Sequence, residues 1–233
     1  MTWYPEDKNE LSKTVDSFLG IKPYIKGKIN GIIVPHAGYD FSGSIAGKAF
    51  SILPKKQRAI ILGPSHYISF KGIRRLHSNR LETPLGKIKV AEKNYKELNV
   101  PEHSLINHVP FLQKLGFTEV IPLIVGDINE REALDIAKDL TKQKDCVFIF
   151  STDLSHFLEY EEAKKIDTKT IEIIKNLEIK SWKEIDACGI FPLLVLINLC
   201  KIKKWQPQLI EYKNSGDITG EKKSVVGYAS FYF

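Results

Sequence analysis

The fold is decided by Gly31-Ile32-Ile33-Val34-Pro35-His36-Ala37-Gly38-Tyr39, an apolar run that ends at a histidine. The run Gly31–Val34 predicts a buried strand, and the following Pro and Gly predict a sharp turn. A helix is predicted next, near Ser44–Leu53. Open α/β sheets place their ligand-binding groups where such strands stop, and His36 stands at that point.

Two later stretches repeat this design. Ala59–Leu62 is a short apolar strand that runs into Gly63-Pro64-Ser65-His66. Cys146–Phe150 is another, and it leads through Ser151-Thr152-Asp153-Leu154-Ser155 to His156. If the three strands lie parallel in one α/β sheet, their carboxyl ends share an edge and the imidazoles converge.

The composition is that of an ordinary globular protein. The chain has 233 residues, of which 43% are hydrophobic, and this favours a single domain over residues 1–233, with two small domains as the weaker alternative. The net charge of +6 is spread along the chain without a basic cluster interleaved with aromatics, so nucleic-acid binding is disfavoured. Three cysteines without close spacing, no signal-like start and no apolar run of ~20 residues predict a cytoplasmic protein without a membrane span.

The rest of the chain alternates predicted helices and strands. An irregular excursion over 67–90 is typical of a functional flap, and Pro122 suits an edge strand or a bulge. The predicted helices are 11–19, 91–98, about 105–115, 130–140, 161–177, one that starts with a capping box at 181–184, and 190–200. The predicted strands are 73–76 and 87–90, both antiparallel, 120–125, and a hairpin over 208–233 that turns at 214–217.

The histidines have structural and functional interpretations. A lone histidine usually caps a turn or bonds a carbonyl, but two at equivalent strand ends, His36 and His66, favour a site. Asp153 and His156 would share a face if their turn is helical, and Asp153 would then orient a proton-shuttling His156; equally, Asp153 could cap a helix. His108 is the better site candidate of two histidines on one predicted helix.

The other two histidines are assigned away from the site. His103, beside Glu102, is expected to be structural or capping, and His77 is expected on the surface. Cys188 precedes an apolar helix whose positive end would lower the pKa of its thiol and favour a metal-binding thiolate. A small buried apolar role is equally open for Cys188.

Five motifs in order resemble the Memo family, the group of AmmeMemoRadiSam system protein B. They span nearly the whole chain. The motifs are Pro35-His36-Ala37-Gly38-Tyr39, Gly63-Pro64-Ser65-His66, Glu102-His103-Ser104 with His108-Val109-Pro110, Ser151-Thr152-Asp153-Leu154-Ser155-His156, and Cys188-Gly189.

The resemblance implies a fold and a site like those of the class III extradiol (LigB-type) dioxygenases. These have a three-layer α/β/α architecture with a central mixed, largely parallel sheet. By position, His36, His66 and Cys188 match the metal ligands, and His156 matches the acid/base group, with Asp153 beside it. His108 matches another pocket histidine that contacts substrate or oxygen.

The same resemblance implies iron or copper as cofactor, and AMMECR-like and radical-SAM proteins as partners. Two histidines and a cysteine are also an accepted catalytic zinc set, so zinc is a further candidate. The dioxygenases complete their site with a carboxylate, whereas this chain offers Cys188, and this departure argues against catechol ring opening. A second histidine often follows the Gly-Pro-Ser-His motif, where this chain has Tyr67. The leading hypothesis is a metal-dependent redox enzyme. The alternatives are a non-catalytic adaptor that binds a peptide or partner in the same pocket, and a zinc hydrolase.

Overall fold

In residues 3–92 and 94–233, the part of the chain that the computed structural model describes, eleven strands form one sheet. Its order is β10-β11-β1-β8-β2-β7-β3-β6, and β4, β5 and β9 pair off this path. The strands are β1 Gly31–Val34, β2 Arg58–Pro64, β3 Ile73–Leu76, β4 Arg80–Thr83, β5 Gly86–Val90, β6 Glu97–Leu98, β7 Glu119–Val125, β8 Cys146–Ser151, β9 His156–Leu158, β10 Gln208–Asn214 and β11 Val225–Tyr232.

The four central strands, β1, β8, β2 and β7, are parallel, and antiparallel pairs flank them. The helices are α1 Lys8–Leu19, α2 Ser44–Phe50, α3 His103–Ile106, α4 Val109–Lys114, α5 Glu130–Leu140, α6 Tyr160–Asn176, α7 Ile190–Lys203 and α8 Ser215–Thr219, with a π-helical turn at Tyr39–Gly43 and a 3₁₀ helix at Ile179–Glu184. Among the described residues, none of these helices has the length and apolarity to cross a membrane.

Both faces of the central strands are covered, as alternation along a strand requires. In β1, Ile33 belongs to the core under α5, α6 and α7, whereas Ile32 belongs to the core under α1, α2 and α4. The same alternation occurs in β2, where Ile60 faces the first core and Ile61 the second. The predicted three-layer α/β/α fold with a mixed, largely parallel sheet is confirmed.

Several local predictions were wrong. The described part of 91–98 is not helical, and Glu97–Leu98 instead pairs with β3; Lys93 lies outside the described residues. The helix predicted over about 105–115 is two short helices that break between Ile106 and Val109, so His103 and His108 belong to different elements. The hairpin of β10 and β11 is antiparallel as predicted, but a short helix, α8, starts its connection.

Two expectations about ends and edges also fail. Pro122 lies in β7 inside the sheet, not at an edge. On one side of β7, β5 pairs with residues 119–120 and β3 with residues 123–125, so neither strand needs an N–H from position 122. The capping box expected at 181–184 is absent from the 3₁₀ helix there, which has no side-chain cap.

Candidate metal centre

The parallel strands bring three imidazoles together. His36 follows β1 and His66 follows β2, and their ring centroids are 5.1 Å apart. His103, the first residue of α3, lies 4.4 Å from His66 and 5.4 Å from His36 by ring centroids. One ring nitrogen of each lies within 4.8 Å of the others, a spacing at which three nitrogens can share one ion.

Both the backbone and the ring of His36 are held by hydrogen bonds. Its backbone N–H donates to Asp153 Oδ1 at 2.8 Å, and its Nδ1 lies 2.7 Å from Ser151 Oγ. Its Nε2 faces Cys188 Sγ at 3.4 Å. Burial, reinforced by the neighbouring histidines, holds the pKa of His36 well below its usual value, so the ring stays in the neutral form that binds metals.

His66 is fixed by a buried carboxylate. Glu102 accepts the His66 backbone N–H at Oε2 and the Nδ1–H at Oε1, both at 2.8 Å, and also accepts the N–H of Ser104. Burial alone would raise the pKa of Glu102, but these hydrogen bonds hold the pKa below its ordinary value. A carboxylate on Nδ1 fixes the imidazole so that Nε2 is free for an ion.

His103 was placed wrongly by the sequence analysis, which expected a structural role. It belongs to the group of three, and the Trp3 indole stacks on it with ring centroids 4.1 Å apart. Burial, followed by the charge of His66, lowers the pKa of His103 to about 4. Its adjacent Glu102 is the helix N-cap, and this capping pattern concealed that the next side chain reaches the strand ends.

Cys188 lies at the border of the group. Its Sγ accepts the Asp153 N–H at 3.3 Å, but it is outside the set of described ligand atoms that lie within 4.8 Å of one another. The expected drop in its pKa was wrong: burial, followed by the charge of Asp153, raises the pKa of the thiol. A metal ion would have to displace this proton, and Cys188 as a ligand stays a prediction.

Asp153 and His156 do not share a helical face, because residues 152–155 are irregular and His156 opens strand β9. The carboxylate of Asp153 faces His36 instead, with Oδ2 4.0 Å from Nε2. Burial raises the pKa of Asp153 to about 7 against hydrogen bonds from the backbones of His36 and Ala37. The helix-capping alternative also fails. An acid/base role for His156 stays a prediction.

His108 lies behind the site and is only 1% exposed. Its Nε2 is 2.7 Å from the Oγ of Ser151, the residue that holds His36. Its contact with the site therefore runs through Ser151, and direct contact with substrate stays a prediction. His77 is exposed and paired with Glu97, as expected of a surface histidine.

A cleft of about 360 Å³ opens onto the site. Its lining includes His66 and Cys188 together with Tyr67, Ile68, Phe70 and Phe191. Glu102 and Ser151 are the residues that sequence reasoning missed, since their partners lie 36 and 115 positions away in the chain. The donor set of neutral imidazoles and a nearby thiol fits iron, copper or zinc better than magnesium or calcium.

Comparisons with known proteins agree with this architecture. The model of the family described as Memo-like protein matches residues 2–232. A MEMO1 family protein of Aquifex aeolicus is 32% identical, with 100% of this chain and 96% of the relative covered. One from Methanobrevibacter smithii is 33% identical, with 99% and 96% covered.

Among solved structures, an uncharacterized protein of Escherichia coli K12 matches with a TM-score of 0.50 at 10% identity, over 88% of this chain and 100% of that one, and so shares the fold. The match to the family model and the identity to these relatives both show the family. The chain belongs to the Memo family.

Proposed function

We propose that this chain is a metal-dependent redox enzyme with one iron or copper ion at the strand ends. The observation that carries the proposal is the group of three ring nitrogens within 4.8 Å, two of whose rings are anchored by buried partners. His36, His66 and His103 would hold the ion, and Cys188 would add a thiolate beside His36. A bound ion of this kind supplies one-electron chemistry and Lewis acidity.

The surrounding groups can handle a proton. Asp153 has a pKa of about 7, so it exchanges a proton near neutral pH, and its Oδ2 faces the Nε2 of His36. His156 stands at the start of β9 as the second candidate acid or base. The cleft beside His66 and Cys188 admits a small substrate.

Metal analysis of protein purified without added metal tests the proposal. We expect close to one equivalent of iron or copper in the wild type and nearly none in His36→Ala or His66→Ala. His77→Ala is the matched control, because His77 is an exposed histidine with a carboxylate partner. Equal metal in the wild type and His36→Ala would refute the site, and zinc alone would favour a hydrolase.

An adaptor function is the second candidate. Tyr67 and Ile68 line the cleft and are exposed by 50% and 44%, so a peptide could cover them. Oxygen uptake by the metal-loaded protein with catechol-like or thiol compounds separates the two functions. Turnover at enzyme-like rates excludes a purely binding role.

A further inference from the structure

A continuous hydrogen-bonded chain runs from the candidate ligand His36 into the interior. Ser151 Oγ lies 2.7 Å from His36 Nδ1 and 2.7 Å from His108 Nε2. The three residues are 2%, 0% and 1% exposed, so bulk water does not compete for these contacts. Ser151 occupies this place because it ends β8 in parallel register with Val34, two residues before His36.

A hydroxyl has one proton and two lone pairs, and the two histidines are the partners of Ser151 Oγ among the described residues. If both rings donated to it, its own buried proton would have no acceptor, so two directions remain. In one direction, His36 donates its Nδ1–H to Ser151, and Ser151 donates its O–H to His108 Nε2. In the other, His108 donates to Ser151, Ser151 donates to His36 Nδ1, and the proton of His36 must lie on Nε2, facing the other histidines.

We propose that Ser151 and His108 are positioning residues that hold His36 as its Nδ1–H tautomer, so that the Nε2 lone pair faces the site. The inference rests on the proposed function insofar as that lone pair is meant for an ion. Two neighbours support this direction. Cys188 Sγ already accepts the Asp153 N–H, and its one proton has two acceptors within reach, His36 Nε2 at 3.4 Å and the Asp153 carbonyl at 3.6 Å.

His66 supplies the second support. Its Nδ1 faces the carboxylate of Glu102, which can only accept, so His66 is also the Nδ1–H tautomer. Both rings then keep Nε2 without a proton, and one nitrogen of each belongs to the group within 4.8 Å. His108 must carry its own proton on Nδ1, and its role is to accept the serine proton rather than to touch substrate.

Long-range ¹H–¹⁵N spectra of the metal-free, histidine-labelled protein test the tautomer directly, without any activity. We expect the Nδ1–H pattern for His36 in the wild type. Ser151→Ala should give a mixture of tautomers and weaken metal binding roughly 10- to 100-fold, the usual effect of losing such a partner. Ser230→Ala is the matched control, a fully buried strand serine whose hydroxyl has no partner among the described residues.

Two variants at His108 separate its role as a hydrogen-bond acceptor from its role in packing. His108→Gln keeps an acceptor and should keep the Nδ1–H tautomer of His36, whereas His108→Leu should lose it. An Nε2–H pattern in the wild type, or an unchanged pattern or unchanged metal affinity in Ser151→Ala, would overturn the inference. If the tautomer shifts in Ser151→Ala but the wild type binds no metal, the hydrogen-bonded relay stands and the proposed function fails.

Discussion

His36 and His66 occupy equivalent strand ends but are held in different ways. His36 is fully buried, and a neutral serine hydroxyl contacts its Nδ1. The side chain of His66 is 28% exposed at the cleft, and an ionised carboxylate contacts its Nδ1. A buried charge is tolerated at Glu102 because three N–H donors surround it, whereas the Nδ1 of His36 has the neutral hydroxyl of Ser151 as its partner. The same tautomer is thus obtained by a charge near the cleft and by a neutral relay in the interior.

The largest effect is expected at the charged contact between Glu102 and His66. Glu102→Gln should weaken metal binding by more than tenfold and lower the free energy of unfolding by about 2–3 kcal/mol, because it removes charge-assisted bonds to His66 and the cap of α3. Calorimetric metal titration and urea unfolding measure the two effects.

Glu97→Gln is the matched control for that change. Glu97 also accepts from a histidine, the exposed His77, and it pairs with Arg75 as well, so the comparison is made on metal binding alone. We expect no loss of metal from it. A similar loss in both variants would show that Glu102 has no special role.

The neutral contacts of His36, Ser151 and His108 can be tested by the pH dependence of stability. Burial lowers the pKa of His108 from 6.5 to about 3, so the folded protein keeps the ring neutral while the unfolded chain takes up a proton. The resulting stability is complete above pH 6.5 and is lost as the pH falls from 6.5 towards 3. His108→Gln should therefore reduce the slope of unfolding free energy against pH in that window by about 1.4 kcal/mol per unit, one proton's worth.

Chemical denaturation at intervals between pH 4 and pH 7 measures this slope. Ser230→Ala, which removes a buried side chain that does not titrate, should leave the slope as in the wild type. An unchanged slope in His108→Gln would mean that His108 is protonated in the folded protein and that the neutral relay is wrong.

A third substitution tests whether Cys188, next to His36, is a metal ligand. Cys188→Ser should reduce copper(I) affinity about tenfold or more while leaving iron less affected, because a thiolate is the soft donor of the site. Cys200→Ser, at a buried cysteine in α7, is the control for thiol loss elsewhere. Equal copper(I) affinity in the wild type and Cys188→Ser would leave the three histidines as the whole donor set.

The histidines at the strand ends were predictable from sequence, whereas the residues that hold them in place were not. Apolar runs closed by Pro or Gly are local signals, and they placed His36 and His66 at one edge of the sheet. Ser151 and Glu102 become partners of these histidines only through the order of strands in the sheet, which no local pattern encodes. His103 was misjudged because its neighbour Glu102 indicated a capping role, and no local pattern shows that the first residue of this short helix reaches the strand ends.

The smallest effect is expected at the third strand end. The turns at His36 and His66 contain Pro and Gly, whereas the chain after the third strand end enters β9, where Phe157 is left-handed with φ 60° and is 76% exposed. Phe157→Gly should raise the free energy of unfolding by up to about 1 kcal/mol, because glycine adopts this conformation without strain. Lys204→Gly, at an exposed helix end with φ 56°, should give a similar gain in thermal unfolding. Stabilisation at 204 but destabilisation at 157 would mean that the Phe157 ring, 5.7 Å from the His156 ring, supports the site enough to outweigh its backbone strain.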